Sequence, residues 1–178
     1  MSERNTYARS AHDLGLAAWF GGSLMGAVGL NGATAEAASS KEALRLSSLG
    51  WGRWAPVNTA AIAVHVIGGL GLIGGNKSRL NRQLDAHTNT VVKSVVTAAA
   101  VGVTAYSGML GKKVYDKQDN PTHGTTEPGH GTDEDLASAQ KQLKVCQWAI
   151  PALTGVLIVL GAQQGEQQRP LQQMLGRA

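Results

Sequence analysis

The chain has 178 residues, 43% of them hydrophobic, yet aromatics make up only 4% and charged residues 16%. A soluble domain carries roughly 25% charged residues and about half this share of glycine; here there are 23 Gly and one Phe. One cysteine, Cys146, excludes an intrachain disulfide framework and any multi-cysteine metal site.

Charge is unevenly distributed. No Asp, Glu, Lys or Arg occurs in Leu14–Ala35, Trp54–Asn76, Ser94–Gly111 or Val145–Gly165. Each run approaches or exceeds the roughly 20 apolar residues that a helix needs to cross a bilayer. The mean hydropathy of -0.11 is low for such a chain. Polar connectors and a preference for Ala and Gly over Leu and Ile account for that. The expected architecture is all-α: an integral membrane four-helix bundle running up-down-up-down, a single domain over 1–178, with spans at about 13–31, 55–75, 89–111 and 145–164. A soluble bundle of buried helices is the alternative. Against it, the first run has no recurring charged position to form a solvated face.

In chain order, a mixed polar leader precedes the first run, which is not followed by a signal-peptide cleavage pattern. Ser10 and Asp13 have capping-box spacing, predicting a helix start near Ala11. Residues 32–52 read as a connector with a short amphipathic helix. Pro56 suits the first turn of the second helix, where a missing N–H costs nothing. Gly74, Gly75 and Asn76 end that helix. Lys77, Arg79 and Arg82 form a dense basic connector, and Asp85 is a candidate cap for the third helix. Residues 112–140, with Pro121, Pro128 and several glycines, read as a flexible polar loop. Pro151 predicts a kink in the fourth helix.

The dense 77–85 connector places both termini in the cytoplasm, and the chain in the plasma membrane as a multi-pass protein. Trp51, Trp54 and Trp148 then belong to an aromatic belt at the outer interface. Ala18, Gly22 and Gly26 on the first span, and Gly71 and Gly75 on the second, are small-xxx-small stripes that let helices approach closely. They serve either contact between the first two helices or a seam between two copies of the chain.

Three groups of polar residues carry candidate chemistry. His12 and His87 begin the first and third helices, which lie diagonally in an up-down bundle. Two imidazoles at one depth have the chemistry to hold a haem or a metal. His65 lies too deep to join them. It is a transport-path candidate with Thr97 and Thr104, because an ionisable group at mid-membrane is a functional candidate by default. No carboxylate lies in any span to relay protons with it. His123, Glu127 and His130 in the long loop are a mixed metal-ligand set. Each group also has a plain structural reading: an interface residue, a satisfied bundle histidine, or a solvated loop.

There is no phosphate-binding loop, no Gly-x-Ser-x-Gly elbow and no histidine beside Cys146, which points away from an enzyme. The expected partners are the lipid bilayer, other membrane proteins or a second copy of the chain. Nucleic acid is not expected, because the basic residues flank the spans.

His12, Trp19, Gly21 and Gly22 form His-x6-Trp-x-Gly-Gly. This resembles the first-helix pattern of bacterial copper-resistance D-type membrane proteins and related small four-span families. The resemblance covers about eleven residues. It implies a four-span bundle and, from the larger members, copper or haem handling. The chain departs from the pattern by lacking Met-rich ligands and a second Trp-Gly-Gly helix. It also looks like the Ala/Gly-rich small membrane proteins of high-GC bacteria. The functions carried forward are a non-enzymatic accessory or scaffold subunit, a haem- or metal-handling protein, and a small transporter or channel.

Overall fold

The structure, a computed structural model, describes residues 5–77, 84–117, 119–120 and 122–166. Helix α1 spans Thr6–Met25 and continues through a π-helical turn, Gly26–Leu30, into the short α2, Asn31–Ala35. Helix α3 spans Ser40–Gly75, α4 spans Leu84–Asp116 and α5 spans Glu134–Glu166. A small antiparallel hairpin, β1 (Thr122–Gly124) and β2 (Glu127–Pro128), lies between α4 and α5. The all-α reading holds, and among the described residues four helices are long and apolar enough to cross a membrane.

The helices run beyond the expected spans. Helix α1 starts before Ala11, with Asn5 as its N-cap, and no side-chain cap bond is made there. The expected connector at 32–52 is mostly helix. Ser39, in an extended conformation, accepts the Glu42 N–H on its Oγ at 3.2 Å and starts α3 fifteen residues or so ahead of the apolar run. Pro56 therefore sits inside a continuous helix rather than in its first turn. Proline interrupts a helix by clashing with the carbonyl four residues back. Here that residue is Gly52, and both lie on an exposed face with room for the ring. Pro151 is likewise inside an unbroken α5. Asn76 ends α3 as expected, its Nδ2 donating to Leu72 O at 2.7 Å. Asp85 falls inside α4 rather than ahead of it. Arg79 and Arg82 lie outside the described residues.

Helix α1 packs along α3, α4 along α5, and α1 against α5, while α3 and α4 touch only sparsely. Two apolar clusters result. Leu16, Trp19, Ala100, Ile150 and Leu157 form one in mid-bundle. Leu44, Leu110, Val114, Leu136, Leu143 and Cys146 form the other, beside the hairpin.

The α1–α3 contact depends on glycine. A Cβ at Gly15 would lie 2.5 Å from Ala61 O, and one at Gly68 would lie 2.5 Å from the His12 nitrogen. Backbone meets backbone at both positions, so no side chain fits. At Gly22 a Cβ would overlap the Trp54 indole, and at Gly26 the Trp51 indole. At Gly71 it would meet the Ala8 Cβ at 3.2 Å, and at Gly75 the Asn5 amide. The stripe on α1 is thus filled within the chain, by two of the tryptophans expected in the interfacial belt. Trp148 is exposed.

The segment 112–140 is more regular than a loose loop. Helix α4 continues to Asp116, and α5 begins at Glu134. The fully buried Gln140 donates its Nε2 hydrogens to Gly124 O at 2.7 Å and Thr125 O at 3.3 Å, docking the hairpin onto α5. Lys144–Glu127 (2.6 Å) and Lys113–Asp135 (2.6 Å) add ion pairs around it.

Candidate functional site: the histidine pair and the α3–α4 crevice

His12 and His65 meet. Their rings stack with centroids 3.9 Å apart and planes 19° from parallel. The His12 Nδ1–H donates to His65 O at 2.9 Å, and the His65 Nδ1–H donates to His12 O at 2.9 Å. A carbonyl only accepts, so each Nδ1 must carry its proton and each ring keeps Nε2 as its remaining site. Trp19, fully buried, approaches His65 edge-on at 6.2 Å. Its Nε1–H donates to Thr104 Oγ1 on α4 at 3.3 Å, and Thr104 in turn donates to Ala100 O at 2.8 Å.

This pairing corrects the expectation that His65 lies too deep to reach His12. Helix α1 begins at Thr6, so His12 is nearly two turns into the helix rather than at its start. The helices close on each other at Gly15 and Gly68, which bracket the pair. Each His then sits opposite the other's backbone, and the reciprocal bonds follow from that register.

His87 is exposed on the first turns of α4. It lines neither of the cavities described next, so the structure joins His12 to His65 and leaves His87 apart. His123, Glu127 and His130 are all exposed around the hairpin. Among the described residues, no three His, Cys, Asp or Glu side chains are grouped to hold a metal ion. Glu127 is instead bonded to Lys144.

Because α3 and α4 barely touch, a crevice runs between them. It holds two cavities, with Val101 on the wall of both. The first, about 470 Å³, lies where the start of α1 meets the end of α3; His12, His65, Lys93 and Thr97 are on its wall. The second, about 780 Å³, lies toward the hairpin; Thr104, Trp54, Asn58 and Gln147 are on its wall. The three transport-path candidates thus all line the crevice, His65 and Thr97 in the first cavity and Thr104 in the second.

Two polar groups that the sequence did not single out tie helices together: Lys93, on the wall of the first cavity, and Asn31, outside both linings. Lys93 looks like a flanking charge of the third span, yet it is half-buried and donates to Gln164 Oε1 on α5. Asn31 stands just after the π-helical turn. It accepts from Trp51 Nε1–H at 3.1 Å and donates to Gln147 Oε1 at 2.6 Å, tying α3 to α5. An amide isolated in an uncharged run is a signal that could have singled it out.

At the hairpin end the charges are arranged for structure. The Asp133 carboxylate accepts the N–H of Leu136 at 3.1 Å and of Asp135 at 2.8 Å, capping α5. Those backbone bonds, led by the one from Leu136, together with Lys117, hold its carboxyl below the usual range. Lys117 is shifted up, chiefly by its bond to Asp135.

Chemically the crevice is an amphipathic slot. His12, His65 and Thr104 are engaged with backbone carbonyls, while Ser47 Oγ and Trp54 Nε1 on the wall of the second cavity are buried with no hydrogen-bond partner among the described residues. Comparison with protein-family models, with curated proteins and with solved structures finds no match to this chain.

Proposed function

We propose that the chain is a small multi-pass protein of the plasma membrane: an up-down-up-down bundle with cytoplasmic termini, acting as a non-enzymatic accessory or scaffold subunit. One observation carries the reading. Within the most apolar stretch of each long helix, only 11–33% of residues are buried inside the bundle. Ile67 (68% exposed), Val95 (64%) and Val145 (69%) are typical of what faces outward. A soluble protein seldom exposes contiguous apolar surface on this scale. Lipid is the solvent in which long helices with outward-facing aliphatic side chains are stable. The polar ion pairs, by contrast, gather at the hairpin end, where an aqueous boundary suits them.

The scaffold role is favoured by what the interior does. Its histidines, Trp19 and Asn31 are engaged in helix-to-helix contacts. Alkaline carbonate extraction tests the membrane assignment. The protein is expected in the pellet with the bilayer; recovery in the supernatant would contradict it.

A further inference from the structure

The first cavity combines features that bulk lipid contact does not need. Arg9 from α1 and Lys93 from α4 are on its wall, and among the described residues no Asp or Glu lines it. Asp13, one turn on from Arg9, is exposed and not part of that wall, although its charge reaches Lys93 from outside. The Lys93 ammonium has its hydrogen bond to Gln164 Oε1, an acceptor without charge. A half-buried cation whose contact is a neutral amide is a strong site for an anion, since desolvation strengthens every charge pairing there.

Most of the surface of the wall is apolar, although His12, His65, Ser94 and Thr97 also line it. Val66, Leu70 and Ile73 on α3 face Val101 on α4. Leu70 is nevertheless 63% exposed, so the slot opens sideways through the gap between α3 and α4 rather than ending inside the bundle. A molecule that fits has a negative head near two cations and a hydrocarbon tail entering from the side. Basic pockets between membrane helices have this chemistry for anionic lipid headgroups.

We propose that this cavity binds one anionic phospholipid from the surrounding leaflet, with its phosphate at Arg9 and Lys93 and an acyl chain along Val66, Leu70, Ile73 and Val101. The assignment rests on the membrane reading above. It adds a defined site and a headgroup preference. Bound there, the lipid fills the one side of the helix ring where protein contact is sparse. It would therefore act as a structural ligand closing α3 onto α4.

The test uses full-length protein purified and delipidated in a mild neutral detergent. Phosphatidylglycerol and phosphatidylcholine with identical chains are added separately, and retained lipid is counted by native mass spectrometry. One phosphatidylglycerol should be retained per chain, with a higher thermal aggregation midpoint; phosphatidylcholine should be lost on mild activation. Lys93→Gln and Arg9→Gln should each weaken phosphatidylglycerol retention about fivefold, the value of one cation at an anionic surface. Lys93→Arg should preserve retention, and so should Lys41→Gln, which removes an exposed cation already paired with Asp119. Equal retention of both lipids would overturn the proposal. So would Lys93→Gln and Arg9→Gln behaving like Lys41→Gln. Displacement of phosphatidylglycerol by palmitate at equal concentration would reassign the slot to single-chain carboxylates and overturn it too. Because binding is read on protein already in detergent, a negative result leaves the carbonate extraction outcome untouched.

Discussion

Gly15 and Gly68 set how close α1 and α3 come, and the histidine pair depends on that closeness. At both positions the obstacle to a side chain is backbone, which cannot swing aside. Gly21 is a matched control on α1, with open space around its missing Cβ. Gly15→Leu or Gly68→Leu is expected to destabilise the bundle by at least the 1–3 kcal/mol typical of overpacking, whereas Gly21→Leu should be near neutral. Thermal aggregation in mild detergent measures this; equal midpoints for Gly15→Leu and Gly21→Leu would show that the close approach is not required. The spacing of Gly22 and Gly26 was legible as a stripe, but its filler was not. Which side chain enters a glycine notch depends on the register of the opposing helix, and only the fold places Trp51 and Trp54 there. Gly15, between two leucines, and Gly68, in a Gly-Gly pair, belong to no such stripe in the sequence, and only the register of α1 against α3 singles them out. The pairing of His12 with His65 escaped for the same reason: it needs the register of α1 against α3.

The hairpin and the start of α5 behave as one structural unit, and its charges predict a pH response. Asp133 has a folded-state carboxyl pKa held below its ordinary value by the Leu136 N–H, with Lys117 contributing. A depressed acid stabilises the fold fully above its unfolded value, near 4. That contribution is lost as pH falls through the lower, folded value. Local opening of the first turn of α5 should therefore increase below about pH 4 and stay flat above about pH 5. Hydrogen exchange at the Asp135 and Leu136 amides reads it. Asp133→Ala should show faster exchange at pH 6 and lose the acid dependence; an unchanged pH profile in that variant would remove Asp133 from the account. Much of this was hidden in the sequence. Prolines and glycines between residues 112 and 140 suggested a slack loop, but Gln140 is 16 residues beyond Gly124 and its burial beneath it is a tertiary event. The π-helical turn at Gly26–Leu30 is similar: two glycines permit it, yet its effect is to turn Asn31 toward Trp51 and Gln147.

The four long apolar helices were readable from the chain because absence of charge over about 20 residues is a local property. Their ends were not, since Ser39 capping and the passage of α3 through Pro56 extend a helix past its apolar run. Contact order around the ring was not readable either, and the sparse α3–α4 side is what creates the crevice. If the helices cross a bilayer in alternating directions, the hairpin between α4 and α5 lies on the face opposite the end of α3. Single cysteines at the exposed positions His130 and Lys77 report on those faces, on a background with Cys146 replaced by alanine. An impermeant thiol reagent added to intact bacterial host cells should label His130→Cys at once and Lys77→Cys only after permeabilisation. Equal labelling of both positions in intact cells, or of neither until permeabilisation, would put them on one side and contradict the four-span arrangement.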